Sequence, residues 1–206
     1  MEVLPVLIEM EPLEIGGCIF CSEKGSGDHI PAISNISEQV RQYLISERGQ
    51  RANKFIAYFQ NFSNTYDSVE NLKRKYDAAL IDPRIVALSI ATRPDCITEE
   101  IALLLKSYMN QYDVWVELGL QTANESIGNN IHRGYTNSQF TTAVSLLQKN
   151  GIDIITHIMI GLPGETQSDI DDIISFINQH PIQGLKVHST YIIKHTMLAS
   201  MFKKGE

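Results

Sequence analysis

The sequence is short of cysteine, of basic charge and of long apolar runs, and each shortage excludes a class of protein. No stretch is apolar over the length a membrane-crossing helix needs, and Met1 to Ile15 has no basic leading region and is broken by Pro5 and Pro12, unlike a secretory signal. Lysine and arginine total 17 against 24 acidic residues, and the net charge of -7 excludes a chain-wide basic surface that grips nucleic acid by neutralising phosphates. Three cysteines in 206 residues exclude disulfide stapling and point to a reducing, cytoplasmic setting. The remaining composition, 43% hydrophobic and 20% charged, is that of a globular chain long enough for one sizeable core or a compact pair.

What is present is a rhythm. Lys54–Gln60, Ile85–Ala91, Val114–Leu120, Asp153–Ile160 and Leu185–Ile193 are short runs rich in branched and aromatic residues, and they predict buried strands. Helical spacing predicts helices from Ser34 or Ser37 to Glu47, from Ser68 to Ala79, from Thr98 to Asn110, from Ser138 to Asn150 and along Ile170, Ile173, Ile174 and Ile177 to His180. Gly151 is placed to end the fourth of these in a left-handed cap. Asn124 to Thr136 reads as a polar loop, and residues 1–15 as a short, divergent extended segment.

Five strand, loop and helix units in succession predict an α/β fold with a parallel sheet and right-handed crossovers. Ligands bind such sheets at the C-terminal ends of the strands, so the loops at Gln60, Thr92, Gln121 and Gly161 should converge on one site. Glu117, inside an otherwise apolar strand, must be ion-paired or functional, because an unpaired buried carboxylate is costly. Arg93 could pair with Asp95 or Glu117, or serve a ligand; His157 and His188 are as well explained by satisfied core histidines as by substrate contacts. Trp115, Phe55 and Tyr58 read as core.

Gly16-Gly17-Cys18-Ile19-Phe20-Cys21 carries the chemistry. A Cys-x-x-Cys step lets two sulfurs converge on one centre, and by itself it serves zinc, iron–sulfur clusters and redox disulfides alike. The polar, glycine-rich run Ser22 to Asp28 beside it reads as a loop.

Five ordered motifs resemble the radical S-adenosylmethionine superfamily, in its YhcC/YtqA-like subgroup, which is related to the Elongator catalytic subunit. They are Gly17 to Cys21, Tyr58-Phe59-Gln60, Thr92-Arg93-Pro94-Asp95, Glu117 to Thr122, and His157 to Thr166 with Gly161-Leu162-Pro163-Gly164 inside it. The resemblance implies a partial, TIM-like (β/α)6 barrel over residues 16–206. It implies a [4Fe-4S] cluster held on cysteine thiolates and chelated by S-adenosyl-L-methionine, whose reductive cleavage gives a 5'-deoxyadenosyl radical. Cys18 and Cys21 match two of the family's three cluster cysteines. Phe20, Gln60, Asn61, Thr92, Arg93, Glu117, Gln121, Ile160, Gly161 and Leu162 match positions that line the cofactor, and a flavodoxin or ferredoxin is implied as electron donor. Kinship with the Elongator subunit brings transfer RNA into view as a substrate.

The departures from the family pattern are also definite. Residues 1–15 hold no cysteine where the subgroup places its first cluster ligand, the first barrel strand is expected to be missing or degenerate, and the chain is expected to be short at both ends. Cys96 or His29 could complete a metal site with Cys18 and Cys21. The alternatives to the enzyme are a catalytically inactive remnant and a zinc-binding or nucleoside-binding module.

Overall fold

The structure, a computed structural model, describes residues 1–6, 17–21 and 35–205. Six parallel strands lie in the order of the chain: β1 (Glu2–Val6), β2 (Phe55–Phe59), β3 (Ile85–Thr92), β4 (Asp113–Gln121), β5 (Asp153–Ile160) and β6 (Gly184–Ser189). Each pairs with the next, and among the described residues β1 and β6 are edges, so the sheet is a half-barrel curled around a concave face.

Most of the helices pack on the convex face, while Ile127 of the fifth and Leu198 of the eighth belong to a separate small core. The helices are α1 (Ile36–Ile45), the single turn α2 (Glu47–Gln50), α3 (Val69–Ala79), α4 (Glu99–Tyr108), α5 (Glu125–Asn130), α6 (Asn137–Lys149), α7 (Gln167–Ile177) and α8 (Met197–Lys204). Their starts follow the capping chemistry of the sequence. The side chains of Asn35, Ser68, Thr98, Thr136 and Thr166 accept from the first free amides, and Thr136 with Gln139 and Thr166 with Asp169 form reciprocal capping boxes. Gly151 takes φ +74° after α6, the left-handed conformation expected of it.

Strand alternation sends Leu88, Ile90, Val116, Leu118 and Ile154 to the convex side, where they meet Leu72, Leu105, Val144 and Leu147 in the main core. Each such side chain contributes about 1.5–3 kcal/mol by burial.

The first strand is neither missing nor degenerate. Glu2 pairs with Phe55 and the register runs through to Val6 opposite Phe59, with Leu4 and Val6 in the main core. Pro5 lacks an N–H but sits on an edge strand, where a ladder bond on one side can be forgone. Residues 7–16, with the rest of that segment, and 22–34, with His29, Ser34 and the Ser22–Asp28 loop, lie outside the described residues.

Two further boundaries differ from expectation. The segment after β4 contains α5, whose polar Asn–Glu–Ser start is stabilised by the Asn124 side chain accepting from Ser126 and Ile127. The last strand stops at Ser189 because its partner β5 stops at Ile160; the Thr190 amide makes a last bond to the Ile160 carbonyl and the chain turns away. No described helix is long and apolar enough to cross a membrane.

Candidate functional site

The side chains on the other parity of the strands face the concave side, and their centre is Glu117 on β4. Its Oε2 accepts from the Tyr58 phenol of β2 at 2.8 Å, from His157 Nε2 of β5 at 2.6 Å and from Lys186 Nζ of β6 at 3.1 Å. Its Oε1 accepts from the Ser89 hydroxyl of β3 at 3.0 Å and more weakly from the Trp115 indole at 3.4 Å. Burial alone would raise its pKa. The His157 bond, the Lys186 charge and the Tyr58 phenol prevail and hold it well below the usual carboxylate range. Tyr58, pushed up by burial and by Glu117, stays a phenol. Lys186 Nζ also donates to the Tyr58 oxygen at 2.9 Å and lies over its ring.

The expectation that Glu117 is paired or functional is therefore met by pairing, and Tyr58 is part of this network as well as of the core. Lys186 escaped the sequence reading, although the alternation Leu185-Lys186-Val187-His188 carries the signal of a strand with one polar face.

Above this layer, at the C-terminal ends of the strands, the loops are tied to one another. Asn64 Nδ2 donates to the Phe59 carbonyl of β2 at 3.0 Å and to the Ala91 carbonyl of β3 at 2.8 Å. The Thr92 hydroxyl shares a 2.6 Å bond with Thr65, and Asn61 is buried. Gln60, just after β2, is half-buried. Arg93 makes a bidentate pair with Asp95 at 2.9 and 2.8 Å, donates to the Gly134 carbonyl at 3.0 Å and stacks on Tyr135; Glu117 is not its partner.

Gln121 sits at a bulge at the end of β4 with φ +64° and bonds to the buried Tyr135 phenol. Gly161 has φ +84°, which accounts for glycine there; its amide donates to Glu165 Oε2 at 2.6 Å, Ile160 lies partly exposed before it, and Leu162 is buried after it.

Arg133, in the segment after α5, is almost fully buried and had no sequence signal. It donates to the carbonyls of Leu120, Thr122 and Tyr135 at 3.1, 2.7 and 2.9 Å, to Asn137 Oδ1 at 3.0 Å and to Glu125 Oε2 at 2.8 Å. Its guanidinium knots the end of β4 to the loop before α6.

The cysteine turn docks on this knot. The Ile19 amide donates to the Ile131 carbonyl at 3.1 Å, the Leu198 amide of α8 donates to the Ile19 carbonyl at 2.9 Å, and Cys21 closes a turn on Cys18 at 2.9 Å. Ile19 fills a small second core of Ile127, Ile131, Met159, Leu162 and Leu198, with Phe20 packed against it.

The two free thiols share a hydrogen bond. That bond, with burial, raises the pKa of Cys18, against the lowering charges of Arg93 and Arg133, and the same bond lowers that of Cys21. Cys96 is buried beside Asp95, its pKa pushed up to about 11 by burial and that carboxylate. Among the described residues no group of three histidine, cysteine or acidic side chains is placed to hold a metal, so Cys96 does not join Cys18 and Cys21.

A parallel half-barrel with a Cys-x-x-Cys turn and polar loops gathered over its C-terminal edge defines the architecture of S-adenosylmethionine-dependent radical proteins. The sequence profile of that family, the Radical SAM superfamily, matches residues 15–177, and this chain belongs to it. It is 32% identical to protein YhcC of Escherichia coli (strain K12) over 191 residues, 92% of this chain and 61% of the relative. It is 35% identical to the uncharacterized protein YtqA of Bacillus subtilis (strain 168) over 195 residues, 93% of this chain and 60% of the relative. The chain thus spans about three fifths of the length of these relatives. Among solved structures, an N-terminally deleted Elp3 of the archaeon Methanocaldococcus infernus superposes with a TM-score of 0.67 at 21% identity, covering 100% of this chain and 49% of the other.

Proposed function

We propose that this chain is the core of a radical S-adenosylmethionine enzyme, in which Cys18 and Cys21 give thiolates to a [4Fe-4S] cluster. In this proposal Phe20, Gln60, Asn61, Thr92, Arg93, Gln121 and Ile160–Leu162 receive S-adenosylmethionine, and the concave face beneath them is the substrate chamber. The observation that carries it is the docking of the Cys18–Cys21 turn, through Ile19, over the C-terminal edge of the sheet and within the field of Arg93 and Arg133. When bound, the cluster supplies the electron that cleaves the sulfonium bond to release a 5'-deoxyadenosyl radical.

The donor set fits the cluster in part. Two thiols converge, and the charges of Arg93 and Arg133 oppose the rise that burial and Cys21 impose on Cys18, while a third protein thiol does not reach them among the described residues. The cofactor's nucleoside end is better provided for: Glu165 Oε1 and Thr190 Oγ1, at the ends of β5 and β6, are buried polar atoms without a partner in the protein and can pair with the edges of a base. Glu117 stands apart from this group. With five donors on its two oxygens it holds the chamber floor together rather than the cofactor.

Anaerobic reconstitution followed by iron and sulfide analysis is the test. Uptake that falls away in Cys18→Ala and Cys21→Ala supports the proposal; a protein that takes up neither, or a Cys18→Ala variant equal to the parent, overturns it. The incomplete thiolate set favours one second reading, a cluster-free remnant that keeps the nucleoside site. That protein would bind S-adenosylmethionine without iron, whereas stoichiometric zinc would mark a zinc module. In the enzyme reading a flavodoxin or ferredoxin delivers the electron in the cytoplasm, and kinship with the Elongator subunit supports transfer RNA as substrate, against which the net charge of -7 weighs.

A further inference from the structure

We infer that the floor of the concave face is a subsite for a small anionic group of the substrate, a carboxylate or a phosphate, bound by Lys186 and His188. This rests on the concave face being the substrate chamber proposed above.

The first step is that Glu117 has nothing left to offer or repel with. Both oxygens are filled by donors from β2 to β6, one of them the Lys186 ammonium. Asp113 lies four residues before Glu117 on β4, and Asp153 four residues before His157, the β5 partner of Lys186, about 13 Å along the strand in each case. What remains on the floor is donor capacity. Lys186 has three N–H groups and spends two, on Tyr58 and Glu117, while its side chain is 38% accessible.

His188, one pleat closer to the cofactor end, has its ring centroid 5.0 Å from that of His157. Its Nε2 is buried and has no hydrogen-bond partner in the protein. A buried ring nitrogen left open is costly unless a ligand completes it. Burial, His157 and Lys186 lower the His188 pKa, so the ring enters as a neutral imidazole that can place its proton on Nε2 toward an acceptor.

A free ammonium N–H and an open imidazole nitrogen, with the floor carboxylate Glu117 filled, together fit an acceptor-rich anion; Glu165, whose Oε1 is open, lies in the loop beyond β5 with its Oε2 on the Gly161 amide. The enclosure by β2 to β6 and the net charge of -7 favour a small anion over a polyanion.

The test follows the histidine ring nitrogens by NMR in the full chain as purified, titrated separately with inorganic phosphate and with acetate, with sodium chloride at matched ionic strength as control. Saturable shifts of the His188 ring with one or both anions, absent with chloride, are expected, and the tighter of the two arms names the group. Lys186→Met should weaken the response about tenfold, the loss of one charged hydrogen bond. His188→Phe keeps the ring packing and leaves the Glu117 shell intact; followed through His157, it should weaken binding by a similar factor.

No response to either anion, or a response unchanged in both variants, overturns the inference. Because iron uptake is measured on the same preparation, shifts that persist without iron sink only the cluster proposal, and iron uptake without shifts sinks only the subsite.

Discussion

Lys186 on β6 and Tyr58 on β2 meet at 2.9 Å across the concave face, with three strands between them in the sheet. Such a bond is possible only because the sheet curls, and Glu117 beneath it takes a bond from each of the two. The curl is thus fixed on one side by helix packing and on the other by a buried polar layer whose centre is a carboxylate.

That arrangement predicts the consequence of Glu117→Gln. Removing the charge leaves Lys186 without its counter-ion and one carboxylate acceptor short, and breaking a buried pair of this kind costs about 3–5 kcal/mol, reduced here because Lys186 is partly solvated. The folded-state pKa of Glu117 is depressed below its ordinary value of 4.5, so its stabilisation is complete above that pH. It declines as the pH falls below 4.5 and is gone once the pH is under the depressed folded value. Urea unfolding at pH 7 and at successively lower pH should therefore show the gap between parent and variant narrowing under acid; a constant gap would disprove the ionic role.

Arg133→Met should be as damaging by a different route. It removes five hydrogen bonds from a buried guanidinium and leaves the carbonyls of Leu120, Thr122 and Tyr135 without that donor. A loss of about 3–5 kcal/mol is expected. Arg133→Lys, a single point charge in place of a planar fork, should recover only part of it. Thermal unfolding of the two variants checks the order.

Much of the frame was legible because it is periodic. Five strands, the caps at Ser68 and Thr98, and the left-handed Gly151 follow from local chemistry that tertiary structure did not override. β1 was obscured by Pro5, which only its edge position makes harmless. The site was legible as motifs and not as geometry: Arg93 and Glu117 were both singled out, but that one pairs with Asp95 and the other with Tyr58, His157 and Lys186 depends on strand register. Arg133 was invisible because its partners are mostly backbone carbonyls, which no side-chain pattern announces.

Gly119→Ala separates cofactor binding from folding. A Cβ there would lie 2.7 Å from Gln121 Nε2 and 2.9 Å from the Tyr135 hydroxyl. The Gln121 amide, at the end of a flexible chain, can move aside, but the buried Tyr135 phenol must also give way, so a cost of about 1–3 kcal/mol is expected. On the proposed function, S-adenosylmethionine affinity, measured by calorimetry, should fall several-fold more than the loss in thermal stability accounts for.

The three thiols should differ sharply in reactivity. Cys96 is buried and its pKa is pushed up to about 11, so it stays protonated at pH 8. Cys21 is exposed and lowered. Iodoacetamide at pH 8 followed by peptide mass mapping should label Cys21 first and Cys96 last; early labelling of Cys96 would contradict its placement.

Ile19 anchors the cysteine turn independently of the main core. Its side chain belongs to the small cluster with Ile127, Ile131, Met159, Leu162 and Leu198, and its main chain is bonded to Ile131 and to Leu198. Ile19→Ala should remove about 2–4 kcal/mol of local packing while the core under α3, α4 and α6 keeps its contacts. The expected signature is a split between two measurements. Alkylation of Cys18, half-buried in the docked turn, should accelerate by a factor of up to about thirty, as about 2 kcal/mol of opening energy dictates. Global urea unfolding should shift much less. If both change together, the turn is part of the main cooperative unit; if neither changes, Ile19 does not hold it.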